Sequence, residues 1–142
     1  MELTKQRRSE SKWTTHVVSV RRDFDRTEAK RKGRELAASV GLGPDRAAAL
    51  DIVIHELSSN LLDHAVRGEL WLRTIAGRSV EVAAIDAGPG IKGLGQILRR
   101  RTAVTGLPNV RRLSQQFHAE SRPGGGTYVR AVIGPTKTPT LS

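Results

Sequence analysis

DRAAALDIVIHELSSNLLDHA, residues 45–65, is the stretch whose reading decides the fold. Leu50, Val53, Ile54, Leu57, Leu61 and Ala65 recur at three- and four-residue steps, the spacing of a helix that turns one apolar stripe toward a core. With a rotation of about 100° per residue, Glu56, Asn60 and Asp63 fall together along one flank of that stripe. They belong at the rim of the core rather than on the solvated face. Pro44 suits the first position of this helix, where a missing N–H is no loss.

Working outward, His16–Arg22 alternates Val18 and Val20 with Ser19 and Arg21, which predicts a half-buried strand near a sheet edge. Asp25 followed by Glu28 reads as a capping box with Asp25 as the cap, opening a helix through Ala29, Gly33, Leu36, Ala37 and Val40. Gly41 and Gly43 end it. On the other side, Glu69–Ile75 and Ser79–Asp86 are β-rich runs joined by Ala76-Gly77-Arg78, a hairpin. Gly93–Arg101 is a short basic segment. Leu107–Gln116 reads as a further helix, with Arg111 and Arg112 turned outward. Phe117–Ser121 and Thr127–Ile133 close the chain as a second hairpin around Pro123-Gly124-Gly125-Gly126. The predicted class is an α+β two-layer sandwich, a mostly antiparallel sheet with helices on one face. Residues 1–14 read as a flexible basic arm, 15–135 as one domain and 136–142 as a disordered tail.

Composition narrows the chemistry. The 142 residues suffice for one core without staples, and 37% hydrophobic with 27% charged residues is ordinary folding material. Cys is absent, which excludes disulfide frameworks, zinc ribbons and thiol nucleophiles. No apolar run reaches the length of a bilayer span, so no membrane partner is expected and a cytoplasmic location is. The net charge of +10 favours an anionic ligand or an acidic protein surface. Seven Lys and Arg lie between Lys92 and Arg122 against Glu120 alone. Nucleic acid is not the expected partner, because 4% aromatic residues leave little to stack on bases. The four histidines show no metal-ligand spacing.

Four local features carry chemistry. A carboxylate such as Glu56 can take a proton from an attacking hydroxyl, and an amide oxygen such as that of Asn60 suits a hard cation. Taken alone, a polar pair four residues apart is common on surface helices. In Asp86-Ala87-Gly88-Pro89-Gly90 a strand stops in a glycine-rich turn, where Asp86 can accept from an exocyclic amine while the glycines admit a flat ring; equally, it can be only a turn. Gly106-Leu107 opens a helix whose free N–H groups favour a phosphate. Gly124-Gly125-Gly126-Thr127 precedes the last strand, and read alone it is a plain hairpin turn.

The order of these features resembles the Bergerat fold, the ATP-binding superfamily shared by gyrase, the heat-shock chaperone, sensor histidine kinases and mismatch-repair ATPases. Within it, Glu56-Leu57-Ser58-Ser59-Asn60, Asp86-Ala87-Gly88-Pro89-Gly90-Ile91, Gly106-Leu107-Pro108-Asn109-Val110-Arg111-Arg112-Leu113 and Gly124-Gly125-Gly126-Thr127 look like the small serine/threonine kinases of bacterial stress and sporulation signalling, the switch kinases and anti-sigma factors. The resemblance implies Glu56 as catalytic base and Asn60 as Mg²⁺ ligand. It implies Asp86 as the adenine reader, with Gly88 and Gly90 shaping the pocket. Gly106 and Leu107 would lie beside the phosphates, Gly126 and Thr127 on the adenine side. ATP and Mg²⁺ are the implied cofactors. The implied reaction is phosphorylation of an antagonist (anti-anti-sigma-like) domain, with a sigma factor or a downstream phosphatase as further partners; the oligomeric state stays open. Arg99, Arg100 and Arg101 would neutralise phosphate charge from a lid.

One segment departs from the family pattern. Thr102, Ala103, Val104 and Thr105 stand where the family's lid carries glycines before its Gly-Leu-Pro piece. A second reading follows from that departure, a partner-exchange module that keeps the fold with weak or no catalysis.

Overall fold

The computed structural model describes residues 14–64, 68–88, 90, 93–99 and 106–135. The arm up to residue 13, the tail, Ala65 of the apolar stripe, and Arg100, Arg101 and Thr102–Thr105 of the lid segment fall outside the described residues.

The elements run β1 (Thr15–Val20), α1 (Asp23–Ser39), α2 (Pro44–His64), β2 (Gly68–Ile75), β3 (Ser79–Asp86), α3 (Leu94–Leu98), α4 (Gly106–Leu113), β4 (Gln116–Arg122) and β5 (Gly126–Ile133). The strands form one sheet in the order β1-β2-β3-β5-β4, every neighbouring pair antiparallel. This is the two-layer α+β class that the pattern predicts, with β1 at an edge.

Strand alternation makes the inner face. Val18, Val20, Leu70, Leu72, Val80, Val82, Ala84, Val129, Ala131 and Ile133 point toward the helices and are buried. Ala29, Leu36 and Ala37 of α1, and Leu50, Val53, Ile54, Leu57 and Leu61 of α2, close the core from the other side. The α2 stripe therefore packs as read. The helices meet closely at Gly33, where a Cβ would lie 2.2 Å from Ile54 Cδ1.

Of three helix boundaries, two differ from the expectations and one agrees. First, α1 starts at Asp23 with Arg22 as its cap, so Asp25 is the third helical residue rather than the cap itself. Its Oδ2 accepts from the backbone N–H groups of Arg21 (2.8 Å) and Arg22 (3.0 Å), an acid reaching back over the first turn. That early start also shortens β1, which stops at Val20. Second, α1 ends as read, in a left-handed glycine: Gly41 has φ +71°, and Leu42 N–H donates to the Ala37 carbonyl at 2.9 Å. Third, α4 stops at Leu113, because Gln115 N–H already donates to the Val132 carbonyl of β5 at 2.9 Å. The sheet claims the chain before another helical turn can form.

Candidate functional site

The open end of the core, between α2 and the inner face of β3 and β5, is a pocket. Leu57, Asn60 and Leu61 come from α2, Ala84 and Asp86 from β3, Thr127 and Val129 from β5, and Gly90 from the loop after β3. Antiparallel register explains the grouping, since Asp86 pairs with Thr127 and Ala84 with Val129, which sets each pair side by side on one face. The walls are apolar, and the polar side chains converging there are Asn60, Asp86 and Thr127. The pocket volume is about 20 Å³.

Asp86 is oriented by its own turn. Its Oδ1 accepts from Gly88 N–H at 2.8 Å, which fixes the carboxylate plane. Thr127, nearly buried, has its hydroxyl 3.3 Å from that of Ser121 across the closing hairpin. Gly126 lies directly behind Asp86: its φ is +82°, and a Cβ there would sit 2.1 Å from the Asp86 carbonyl oxygen. Only glycine lets the end of β5 come this close to the end of β3. Gly90, at φ +88°, packs likewise against the Arg122 carbonyl, 2.5 Å from where its Cβ would be.

Glu56 sits one turn before Asn60 on α2 and is half-buried. Its Oε2 accepts from the backbone N–H of Gly106, the first residue of α4. Leu107 turns into the core and is almost fully buried, so its side chain anchors α4. Ser58 is buried too, donating its hydroxyl back to the Ile54 carbonyl at 2.6 Å. Ser59 accepts from the Arg26 guanidinium at 3.0 Å, tying α1 to this stretch of α2.

Thus Asn60, Asp86, Gly90 and Thr127 are brought together in the pocket, while Glu56 and Gly106 meet beside it. Gly88 and Gly126 shape Asp86 from its turn and from behind, without lining the pocket. Arg99, at the end of α3, is exposed. Among the described residues no group of three His, Cys, Asp or Glu side chains could hold a metal. Asn60 contributes a side-chain amide to the α2 wall of the pocket.

Sequence reasoning passed over Arg46. Its guanidinium donates to the Leu113 carbonyl (2.8 Å) and to the Gly134 carbonyl (3.0 Å), clipping the ends of α4 and β5 to the first turn of α2. Burial pulls its pKa below the usual guanidinium value. A signal was there: a cation in the first turn of a helix opposes the macrodipole, which flags a partner elsewhere.

An antiparallel sheet backed by helices, with an amide on one helix and an aspartate at a strand end lining the same pocket, is the α+β arrangement of the Bergerat-type ATPase fold. No protein-family model matches the sequence. The chain is 28% identical over 123 residues to the serine/threonine-protein kinase RsbT of Bacillus subtilis, covering 81% of this chain and 92% of that protein. It shares its fold with a chain of the SiaB–SiaC complex from Pseudomonas aeruginosa at a TM-score of 0.58 and 14% identity, over 93% of this chain and 97% of the other. The chain thus resembles RsbT in sequence over most of both proteins, and the SiaB–SiaC chain in fold.

Proposed function

We propose that this protein is an ATP- and Mg²⁺-dependent serine/threonine kinase that phosphorylates an antagonist protein domain in the cytoplasm. The observation that carries the reading is the similarity to a serine/threonine kinase over most of both chains, joined to an amide and an aspartate lining one pocket with an acid beside it.

In this reading Asp86 accepts the exocyclic amine of adenine through the carboxylate oxygen that Gly88 leaves open, and the Thr127 hydroxyl supports that side of the ring. Asn60 offers its amide oxygen to Mg²⁺, whose part is to neutralise charge on the transferring phosphoryl group. The N–H groups at the start of α4 favour phosphate oxygens. Glu56 takes the proton of the attacking Ser or Thr hydroxyl. The new bond forms between that oxygen and the γ-phosphorus, and the bond to the bridging oxygen breaks with its electron pair leaving on ADP. A sigma factor or a downstream phosphatase is the output that such phosphorylation would regulate. The fold neighbour's description as a two-protein complex agrees with a partner-bound working state.

The test is transfer of labelled γ-phosphate from Mg·ATP to a Ser or Thr of a candidate antagonist domain. Wild type transfers it, and Glu56→Ala loses transfer while retaining nucleotide. Transfer by Glu56→Ala at the wild-type rate would overturn the assigned base.

A second reading rests on the pocket volume of about 20 Å³, room for one water and less than a purine needs. In it the chain is a partner-exchange module with weak or no catalysis. Mg·ATP binding separates the two.

A further inference from the structure

α4 is held by α2 at both ends. Glu56 meets its first N–H and Arg46 meets its last carbonyl, that of Leu113, so α4 runs antiparallel to α2 with a carboxylate at its positive end and a guanidinium at its negative end. Each side chain complements the helix dipole. The two ends differ in what else holds them. Arg46 bridges two elements, donating to Leu113 and to Gly134, and it is half-buried. Leu107 and Val110 bury the apolar face of α4 in the core between those ends. At the N-terminal end, among the described residues, the hydrogen bond of Glu56 is the one to Gly106.

We infer that the Glu56 carboxylate is a latch that takes the place of a nucleotide phosphate at the start of α4, so that the base stays occupied until phosphate displaces it. The inference rests on the kinase reading above and deepens it. A carboxylate oxygen and a phosphate oxygen are the same kind of ligand to a backbone N–H, anionic acceptors favoured at a helix N-terminus. They cannot both take the Gly106 proton. While it accepts this bond, the Glu56 side chain is held against α4 with one of its two carboxylate oxygens occupied. Phosphate arriving at α4 therefore does two things in one exchange: it takes over the N–H and frees Glu56 to serve as base. Arg46 keeps the far end of α4 fixed while the near end changes partner. Proton abstraction is thereby tied to the presence of the phosphate chain.

Two measurements on the full chain test the latch, with Mg·ADP and adenosine as probes. The first is amide hydrogen exchange across Gly106–Val110. In the nucleotide-free protein, Glu56→Ala should exchange there about three- to tenfold faster than wild type, with Glu56→Gln between them because it keeps a neutral acceptor. Saturating Mg·ADP should return Glu56→Ala to wild-type protection, and adenosine should not. The second is calorimetry: Glu56→Ala should bind Mg·ADP about three- to tenfold more tightly than wild type, with adenosine affinity unchanged. Simple repulsion between Glu56 and phosphate would also tighten Mg·ADP binding, but it leaves exchange in the free protein unaltered. Equal exchange in wild type and both variants therefore overturns the latch. Mg·ADP binding without renewed protection removes the displacement alone and leaves the kinase reading standing. No Mg·ADP binding by either protein overturns both.

Discussion

The carbonyl oxygen of Asp86 lies 2.1 Å from where a Cβ on Gly126 would begin, so the floor of the pocket exists only while residue 126 has no side chain. The left-handed φ of +82° at Gly126 adds a second reason. Gly126→Ala must push β5 away from β3 at the Asp86–Thr127 pair. We expect a loss of about 2–4 kcal/mol and a fall in thermal midpoint of roughly 10 °C. Nucleotide affinity should drop with it, because Asp86 and Thr127 move together. An unchanged midpoint in a thermal scan would show that the hairpin end tolerates the methyl group.

The opposite substitution should help at the other end of the sheet. Ala76, in the loop between β2 and β3, has φ +54°, a left-handed conformation that a Cβ disfavours. Arg78 N–H still closes the turn onto the Ile75 carbonyl at 3.1 Å. Ala76→Gly relieves that strain at some expense in unfolded-state entropy, for a net gain of about 0.5 kcal/mol. Urea denaturation measures it, and a lower midpoint in the variant would contradict the prediction.

Acid sensitivity should centre on Glu81, on the sheet face away from the helices. Arg73 Nε donates to it at 2.7 Å, Arg130 Nε at 2.5 Å. Burial would raise the Glu81 carboxyl, but the hydrogen bonds from Arg73 and Arg130, with their charges, outweigh it and hold the pKa below the carboxylate value of 4.5. A pKa lowered in the folded state gives stability that is present above the unfolded value and is lost as pH falls through the folded one. Wild type should therefore lose stability below about pH 4.5, and Glu81→Gln should lose less over that range while being weaker at neutral pH. Parallel stability curves for the two proteins from pH 7 to pH 3 would refute the assignment.

Much of this was legible in the chain, for reasons that can be named. The α2 stripe and the strand alternations are local periodicities, and Glu56 and Asn60 share a flank by helical arithmetic alone. Asp86 announced itself by ending a strand pattern at glycine. What could not be read is non-local. Arg46 finds its acceptors 67 and 88 residues away, and Glu56 finds its donor 50 residues away. Nothing within a window around either residue encodes those partners. The helix start at Asp23 was hidden for a different reason: Asp25 serves from inside the first turn, and its type fits the cap equally well. The strand order was hidden as well, since β3 pairs with β5 across a whole intervening hairpin strand.

The central claim, a nucleotide pocket read by Asp86, is tested most directly by calorimetric titration of Mg·ATP into wild type and Asp86→Ala. The account predicts saturable binding in the micromolar range for wild type, weakened about tenfold or more when the charged acceptor is removed. Absence of binding by wild type up to millimolar Mg·ATP, or equal affinity in the two proteins, would contradict it.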